Sequence, residues 1–265
     1  MDKLKNIING TILSDANIRV REGKYFYYQY TGKDEKFLLW LRKMLRKHGI
    51  TNSYICISNR LSRIFVLGFY MNKHNTLLKL REKWYNVTMG KTIKTVPRDL
   101  KLTPTVLLFW YLGDGSLPRR NNDENRIPPV VLATNCFTEK DVDLLIEKLK
   151  ELNLNFYKVK CKSGFKKGKE CGFVLYSKQD GTPFRFFKLI GFKPPKEIAN
   201  CVTGKKGPGS KLHFIKDKWP TEEDWIKILS DVKEVGRILR KRRMELGLSQ
   251  SQLVKKVGVS REGIR

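Results

Sequence analysis

The sequence contains two similar apolar segments that each end in a carboxylate, and this repeat constrains the fold more than any other feature. The segment INGTILSDANI (8–18) aligns with LLFWYLGDGSL (107–117), which places Asp15 opposite Asp114. An aspartate at the end of an apolar helix is electrostatically unfavourable, because the carboxyl end already carries partial negative charge. Its recurrence at the same place in a second segment indicates a duplicated unit.

The similarity continues beyond these segments. FLLWLRKMLRKHGI (37–50) resembles VDLLIEKLKELNL (142–154), and both carry apolar residues at helical spacing with a basic outer face. The β-type stretches are NIRVR, KYFYYQYT, TNSYICISN and RIFVLGFYM in the first half, and IPPVVLATN, NFYKVKCKS and CGFVLYS in the second. A further helix closes each half, TLLKLREKWY (76–85) and PFRFFKLIGF (183–192). The pattern predicts an α+β protein of two pseudo-symmetric αββαββα repeats with antiparallel sheets.

This organisation divides the chain into four parts. Residues 1–88 form the first repeat, and residues 89–104, MGKTIKTVPRDLKLTP, form a basic linker with two prolines. Residues 105–218 form the second repeat, and residues 219–265 form a helical tail.

The charge balance points to a polyanionic partner. The chain has 54 Lys and Arg against 26 Asp and Glu, a formal charge of +28. Repulsion on this scale destabilises a compact state, and nucleic acid would relieve it through counterion release. An anionic membrane surface is the alternative, but no apolar run approaches the ~20 residues that span a bilayer. With no secretory signal and five scattered cysteines lacking a C-x-x-C pair, we expect an intracellular protein with reduced thiols and no membrane association.

Alternation along the strands predicts a basic face on each sheet. We expect the free face to carry Arg19, Arg21, Lys24, Gln29, Lys158, Lys160 and Lys162. The alternative for any one strand is an ordinary solvated face, but several basic strands together favour a nucleic-acid groove.

The residues around the aspartates predict how the repeated segments meet. Gly113 lacks a side chain, so another backbone can approach it, and Gly115 is a candidate left-handed helix terminator. If the two helices pack side by side, Asp15 and Asp114 meet and repel each other unless a cation neutralises them. Hard carboxylate oxygens suit Mg²⁺, which could activate water at a phosphodiester. The alternative for a single Gly-Asp-Gly is an ordinary turn.

With these motifs, residues 4–215 resemble the LAGLIDADG homing endonucleases in their single-chain, two-repeat form. The resemblance is strengthened by LTPTVLLFWYLGDGSL and VVLATNCFTEKDVDLLIEKLKELNLNFYKVK. It implies a monomer that cuts both strands of a long DNA site across the minor groove, with the sheets forming a saddle over the neighbouring major grooves. It also implies two or three Mg²⁺ ions held by the catalytic acids Asp15 and Asp114, with the carbonyls of Ser14 and Gly113 as further ligands.

The same resemblance nominates catalytic residues beyond the aspartates. Lys94 in KTVP and Lys211 in SKLHF would lie near the scissile phosphates. The alternative for each lysine is a phosphate contact or a solvated side chain. Gln29 and Asn135 are candidates for ordering water, and direct reading of adenine edges is their alternative.

Two departures from the family pattern carry expectations of their own. The first motif has Ser14 and Ala16 where the second has glycines, so the turn after Asp15 is expected to differ. Phe109 stands at a helix contact where the family usually keeps glycine, and its partner Gly10 would compensate by large-into-small packing.

The tail, VGRILRKRRMELGLSQSQLVKKVGVSREGIR, resembles the start of a repressor-type helix-turn-helix. Ser249 and Gln252 would form a capping box, and Ser260 would cap a third helix. The alternative is a basic helical hairpin packed on the body.

Three functions remain in competition at this level. A site-specific, Mg²⁺-dependent DNA endonuclease leads, acting in a DNA-containing compartment such as a prokaryotic cytoplasm or an organelle. An RNA maturase that binds intron RNA is the second, and a transcription regulator resting on the tail is the third. Neither end of the sequence carries an intein signature.

Overall fold

A computed structural model describes residues 3–21, 25–58, 64–70, 74–88, 90–119, 126–162, 170–203, 213–232 and 235–257. The helices are α1 (Lys3–Leu13), α2 (Glu35–Lys47), α3 (His74–Trp84), α4 (Pro104–Asp114), α5 (Glu139–Lys150), α6 (Thr182–Ile190), α7 (Glu222–Ser230), α8 (Val235–Glu245) and α9 (Gln250–Val257). The strands are β1 (Ala16–Arg21), β2 (Tyr25–Gly32), β3 (Tyr54–Ser58), β4 (Ile64–Tyr70), β5 (Tyr85–Thr88), β6 (Lys91–Lys94), β7 (Gly115–Ser116), β8 (Val131–Ala133), β9 (Phe156–Lys162), β10 (Glu170–Ser177), β11 (Val202–Thr203) and β12 (His213–Phe214).

Two four-stranded antiparallel sheets dominate the molecule, one in each half. Their strand orders are β1-β2-β4-β3 and β7-β8-β10-β9, so the second half repeats the connectivity of the first. The α+β fold is therefore confirmed, with the predicted alternation of helices and strand pairs in both halves. The first hairpin is longer than its counterpart, because β1 pairs with β2 over six positions whereas β7 contributes two.

Local sequence signals explain where the helices begin. Asp34 caps α2 by accepting a hydrogen bond from the Phe37 amide, and Thr138 forms a capping box with Asp141 at the start of α5. Thr103 caps α4, and Pro104 fits the first helical turn because its missing N–H would have no partner there.

The helices that carry the two motifs, α1 and α4, lie in the centre of one hydrophobic core. Nearly every residue of α1 from Asn6 to Leu13 is buried, as are Val106, Leu107 and the residues from Phe109 to Leu112 in α4. Helix α4 is apolar on nearly all sides, which is typical of a helix in the interior.

The segment predicted as a linker contains a strand. Strand β6 pairs with β5 to form a hairpin that spans residue 88, where the first repeat was predicted to end. The hairpin ends at Lys94, and the following amide of Thr95 donates to the Trp84 carbonyl over 2.8 Å. The connection is therefore a structured element that fixes Lys94 relative to α3.

Two expectations about glycine and alanine near the motifs can be compared with the backbone. Gly115 has φ −85° and ψ 154°, so α4 ends by entering an extended strand, and the predicted left-handed terminator is wrong. Helix α1 ends earlier, at Leu13, and Ser14 and Asp15 form a turn before Ala16 begins β1. The two motif ends therefore differ before the carboxylate and not after it, where the difference was predicted. In both repeats the backbone enters a strand directly after the carboxylate, because the next residue already pairs with a neighbouring strand.

The tail contains the first two predicted helices, α8 and α9. Gly247 ends α8 with φ +64°, and Ser249 and Gln252 form the expected capping box, with the two reciprocal bonds at 3.1 and 2.7 Å. The predicted third helix at Ser260 lies outside the described residues. Among the helices that the structure describes, none combines the length and apolar character needed to cross a membrane.

Candidate functional site

Close packing of α1 against α4 depends on one glycine from each helix. A methyl group on Gly10 would lie 2.6 Å from the Val106 carbonyl oxygen and 2.8 Å from the Phe109 Cβ. The predicted large-into-small contact between Phe109 and Gly10 is therefore confirmed. A methyl group on Gly113 would lie 2.4 Å from the Ser14 hydroxyl oxygen, so the motif ends touch as well.

This packing brings the two carboxylates together. Oδ2 of Asp15 would lie 3.1 Å from a Cβ placed on Gly113, the residue before Asp114. Asp15 is exposed to solvent, whereas Asp114 is half-buried. The pair, separated by almost a hundred residues in sequence, thus meets at the shared end of two central helices.

The electrostatics of the pair favour a bound cation. Burial, followed by the negative charge of Asp15, raises the pKa of Asp114 to about 7. Asp15 remains exposed at the surface, yet partial desolvation by the surrounding protein raises its pKa, against the lowering effects of the Tyr30 hydrogen bond and of Lys218 and Lys94. Two carboxylates held this way cannot both ionise cheaply without a compensating positive charge.

A lysine stands beside each motif, and both contact backbone carbonyls at the helix ends. Nζ of Lys94 donates to the carbonyls of Ser14 (3.1 Å) and Ala16 (3.3 Å). Nζ of Lys218 donates to the carbonyls of Leu112 (2.8 Å) and Gly113 (3.0 Å).

Burial governs the acid–base properties of both lysines. It lowers the pKa of Lys94 and lowers that of Lys218 to about 8, although Asp114 and Asp15 act in the opposite direction on each. A lysine with a pKa near 8 exchanges its proton readily in the range where most enzymes work.

The donors around the carboxylates suit a hard divalent ion. Within the described residues no cluster of three or more acidic, histidine or cysteine side chains forms a ready-made metal site. Mg²⁺ typically binds through one or two carboxylates, with waters and substrate phosphate oxygens as its other ligands, and the two carboxylates with raised pKa values fit this pattern. The predicted carbonyl ligands of Ser14 and Gly113 both accept a lysine hydrogen bond here, and a carbonyl oxygen has a second lone pair free for another partner.

Tyr30 contacts one of the two carboxylates, and the sequence analysis did not predict this contact. Its hydroxyl donates to Oδ2 of Asp15 over 3.2 Å. The neighbouring Tyr28 hydroxyl lies deeper and donates to Oγ1 of Thr11 over 2.8 Å. Both tyrosines are buried on the inner face of the first sheet, so their hydroxyls point toward α1 and the carboxylate that follows it.

The other predicted catalytic residues lie on β2, in the turn after β8 and in a part of the chain that the structure does not describe. Gln29 is half-buried on β2, where it pairs with Asn17 of β1. Asn135 lies in the turn after β8, next to the exposed Cys136. Lys211 lies outside the described residues, and its role stays a prediction.

The free face of the first sheet carries part of the predicted basic surface. Ile18 is buried and Arg19 is exposed, so Arg19 points away from the core, as predicted. Its Nε donates to Oδ1 of Asn17 over 3.2 Å. The side chain of Arg21 and the whole of Lys24 lie outside the described part of the chain.

The predicted face of the second sheet is wrong for Lys158 and Lys160. Both share a face with the buried Phe156, and Lys158 pairs with the buried Leu175 on β10. The Lys158 ammonium is bound at 2.7 Å to Glu139 and at 2.7 Å to Asp143 on α5.

The error is one of strand parity. The sequence alternates strictly here, but the buried anchor is Phe156 rather than the residues between the lysines. The face turned away from α5 instead exposes Tyr157 and Val159. The side chain of Lys162 is not among those described.

Lys218 is the main residue that sequence reasoning missed. The signal was a lysine shortly before a proline after each repeat's last helix, KTVP in the predicted linker and KWP at the end of the second repeat. The spacing differs by one residue, and that difference hid the correspondence.

Comparison with known proteins places the chain in a family. A family model described as the LAGLIDADG DNA endonuclease family matches residues 5–184. The match spans well over half of the sequence, and the chain belongs to this family.

The chain is also similar to a curated relative and to solved structures. An uncharacterized protein of Methanocaldococcus jannaschii is 29% identical over 157 residues, which is 57% of this chain and 57% of the relative. The chain thus matches little more than half the length of that relative. The homing endonuclease I-WcaI bound to its DNA recognition sequence is similar in fold, with 20% identity, a TM-score of 0.55 and coverage of 72% of this chain and 81% of that one. I-DmoI in complex with DNA and Ca has 13% identity, a TM-score of 0.45, and coverage of 74% and 95%.

Proposed function

We propose that this protein is a site-specific endonuclease that cuts both strands of double-stranded DNA with divalent metal ions. The observation that carries the proposal is the convergence of Asp15 and Asp114 between two lysines at the end of the paired motif helices. Membership of a DNA endonuclease family supports the reaction class. The charge of +28 supports a phosphate-rich substrate, since basic side chains release counterions when they bind it.

In this proposal the two aspartates are the metal ligands, with the Ser14 and Gly113 carbonyls as additional oxygen donors. A divalent ion held there would neutralise the carboxylates, polarise a scissile phosphate and lower the pKa of a bound water. Mg²⁺ is the ion we propose, because hard oxygen donors on few protein ligands match its preference.

The lysines act on the protons and charges of the reaction. Each ammonium group lies at the end of one motif helix, where it can stabilise the additional charge that develops on a phosphate under attack. The lowered pKa of Lys218 also permits its neutral form to accept a proton from an attacking water near pH 8. Because Lys94 contacts the first motif and Lys218 the second, we assign each lysine to the cleavage of one DNA strand.

The sheets provide the binding surface. Arg19, and by prediction Arg21 and Lys24, face away from the core on the first sheet, and Gln29 lies beside them with an amide that can pair with adenine. We propose that the sheets form a saddle on the duplex, that a single chain suffices, and that the protein acts inside cells where DNA is accessible. Water ordering by Gln29 and Asn135, and a catalytic role for Lys211, remain part of the proposal.

The test is cleavage of duplexes selected from a randomised pool, at a stated salt concentration, with and without Mg²⁺. Asp15→Asn and Asp114→Asn should each reduce cleavage by about 100-fold or more, because a metal ligand contributes several kcal/mol to the transition state. Asp99→Asn is the matched control, since this exposed carboxylate forms a surface ion pair with Lys83.

The outcomes separate the competing functions. Full activity in either aspartate variant would remove that residue from the catalytic role. Binding of intron RNA without DNA nicking would support the maturase instead. A chain ending at residue 232 that still binds and cuts its site would exclude a regulator that depends on the tail.

A further inference from the structure

Lys218 lies in a short segment whose backbone carbonyls accept hydrogen bonds from side chains that are distant in sequence. Nη1 of Arg119 donates to the Asp217 carbonyl over 2.9 Å, and Nη2 donates to the Trp219 carbonyl over 2.9 Å. The carbonyl between them, that of Lys218 itself, accepts a hydrogen bond from the Tyr111 hydroxyl. Three consecutive carbonyls are thus held from the end of α4 and the residues that follow it.

Arg119 is itself fixed by a buried acid. Its Nε lies 2.7 Å from Oδ2 of Asp224, whose side chain is 8% exposed. The same Asp224 oxygen accepts the Thr221 amide over 3.0 Å at the start of α7. A guanidinium group is planar and presents its donors in a rigid fork, so an arginine anchored at Nε directs its two remaining nitrogens.

The segment needs such support because it has little regular structure of its own. Residues Ile215–Lys218 form a single 3₁₀ turn, and Pro220 after Trp219 has no N–H to donate. A lysine side chain has several rotatable bonds, so its Nζ reaches the carbonyls of Leu112 and Gly113 only from a fixed backbone.

We propose that Arg119 is a positioning residue for Lys218. It clamps the carbonyls on either side of Lys218 and thereby holds the lysine at the end of α4. The proposal rests on the proposed function in so far as Lys218 serves the cleavage of one strand. Arg119 lies in the second motif's own continuation, LGDGSLPR, so one stretch of sequence supplies both the carboxylate Asp114 and the clamp for its lysine.

Lys94 is held by different contacts, which makes the effect of Arg119 specific to one lysine. The residues after Lys94 are fixed by bonds from the Thr95 amide to the Trp84 carbonyl and from the Val96 amide to Asp141, at 2.8 and 2.9 Å. Loss of Arg119 should therefore impair the cleavage of one DNA strand and leave the other unchanged.

The experiment compares Arg119→Gln with Arg185→Gln on a supercoiled plasmid that carries the selected site. Arg185 is a matched control, because it also donates to two carbonyls, those of Asn153 and Asp180, and contacts an Asp180 carboxylate oxygen. Its side chain is 34% exposed against 35% for Arg119, and none of these partners carries a catalytic group.

The expected result is strand-specific. Arg119→Gln should slow the cleavage of one strand by about 100-fold, the cost of a displaced catalytic group, and nicked circles should accumulate. Lys218→Met should slow the same strand, and in the Lys218→Met background Arg119→Gln should have almost no further effect. Arg119→Lys, which keeps the ion pair with Asp224 but not the fork, should fold and still slow that strand. Equal slowing of both strands, or the same result from Arg185→Gln, would overturn the proposal.

A second readout does not depend on activity. Hydrogen exchange of the amides of Ile215, Lys216 and Trp219, which donate to carbonyls in the fold, should accelerate by about ten-fold or more in Arg119→Gln but not in Arg185→Gln. If the wild-type protein cuts no DNA, the proposed function fails, and exchange at these amides still decides whether Arg119 holds the segment. Unchanged exchange in Arg119→Gln would contradict the clamp whatever the activity.

Discussion

Gly10 of α1 and Phe109 of α4 pack so closely that the position of Gly10 leaves no room for a side chain. The Cβ of Phe109 lies 2.8 Å from the position that a Cβ on Gly10 would occupy, and the Val106 carbonyl oxygen is nearer still. The spacing of these helices sets the distance between the carboxylates at their ends. The contact is thus a determinant of the site as well as of the core.

Gly10→Ala should destabilise the protein even though alanine is the better helix former. The added methyl group meets backbone and Cβ atoms that cannot rotate away, and overpacking of this kind costs about 1–3 kcal/mol. The free energy of unfolding in urea measures the effect. Gly236→Ala in α8 is the control, because a Cβ there meets nothing within 4 Å. This substitution should be neutral or should stabilise the protein by up to about 1 kcal/mol.

The metal-free protein should lose stability as the pH rises from about 4 to about 7. The pKa of Asp114 is about 7 in the folded protein, well above its unfolded value, so the native state binds more protons than the unfolded state across this range. The free energy of unfolding therefore falls until the carboxyl is ionised in both states and levels off above pH 7.

Asp114→Asn should weaken this pH dependence and raise the melting temperature at pH 8 in the presence of EDTA. Melting curves at pH 5, 6, 7 and 8 make the comparison, with Asp99→Asn as the surface control. Millimolar Mg²⁺ should then stabilise the wild type more than Asp114→Asn, because ligand binding to the folded state raises stability by mass action. An identical Mg²⁺ response in both would speak against Asp114 as a ligand.

Tyr30→Phe should weaken the binding of divalent ions. The lost hydroxyl donates to Asp15, and one hydrogen bond contributes about 1 kcal/mol, which corresponds to roughly five-fold in affinity. Isothermal titration with Mg²⁺ in the presence of uncleaved duplex measures this. Tyr28→Phe removes a buried hydroxyl that bonds to Thr11 instead, so it should lower stability and leave metal affinity unchanged.

Lys218→Met should slow the cleavage of one strand by about 100-fold while DNA binding is retained, since the lysine contacts the end of α4 rather than the sheet face. Lys211→Met, made in parallel, distinguishes the two candidate lysines of the second half. Normal binding in a gel-shift titration shows that the variants are folded. Equal cleavage by Lys218→Met and wild type would refute the catalytic assignment.

Arg19→Ala should weaken DNA binding more than Lys158→Met does. Arg19 is exposed on the free face, so its loss should reduce the slope of log affinity against log salt by about 1. Lys158 is already paired with Glu139 and Asp143 on α5, so its removal should leave that slope nearly unchanged. A larger effect at Lys158 would mean that the sheet binds DNA with the opposite face.

The sequence predicted the paired motif ends but missed two residues that contact them. The duplicated carboxylates and the glycine contacts follow from the repeated motif, whereas Lys94 of KTVP was nominated by the resemblance to the family. Lys218 was missed because its spacing to proline differs from that of Lys94. Tyr30 was missed because a buried aromatic on a strand resembles any core residue.

The error at Lys158 and the one at Gly115 have a common origin in the sheets. A one-residue shift in alternation moves every side chain of a strand to the opposite face, and periodicity alone does not say which face is buried. The backbone at Gly115 is likewise set by pairing with Leu132 of β8. Such tertiary pairing overrides the local preference of glycine for a left-handed helix end.

The long separation between Asp114 and Lys218 has a consequence during synthesis. A chain emerging from the ribosome exposes both carboxylates when little more than its first half has been made, and the second lysine and its anchor Asp224 arrive only about a hundred residues later. Until then the nascent protein has both carboxylates but only one of the two lysines to which we assign strand cleavage. Under the proposed function, the capacity to cut the duplex would therefore be completed only after both four-stranded sheets have been translated.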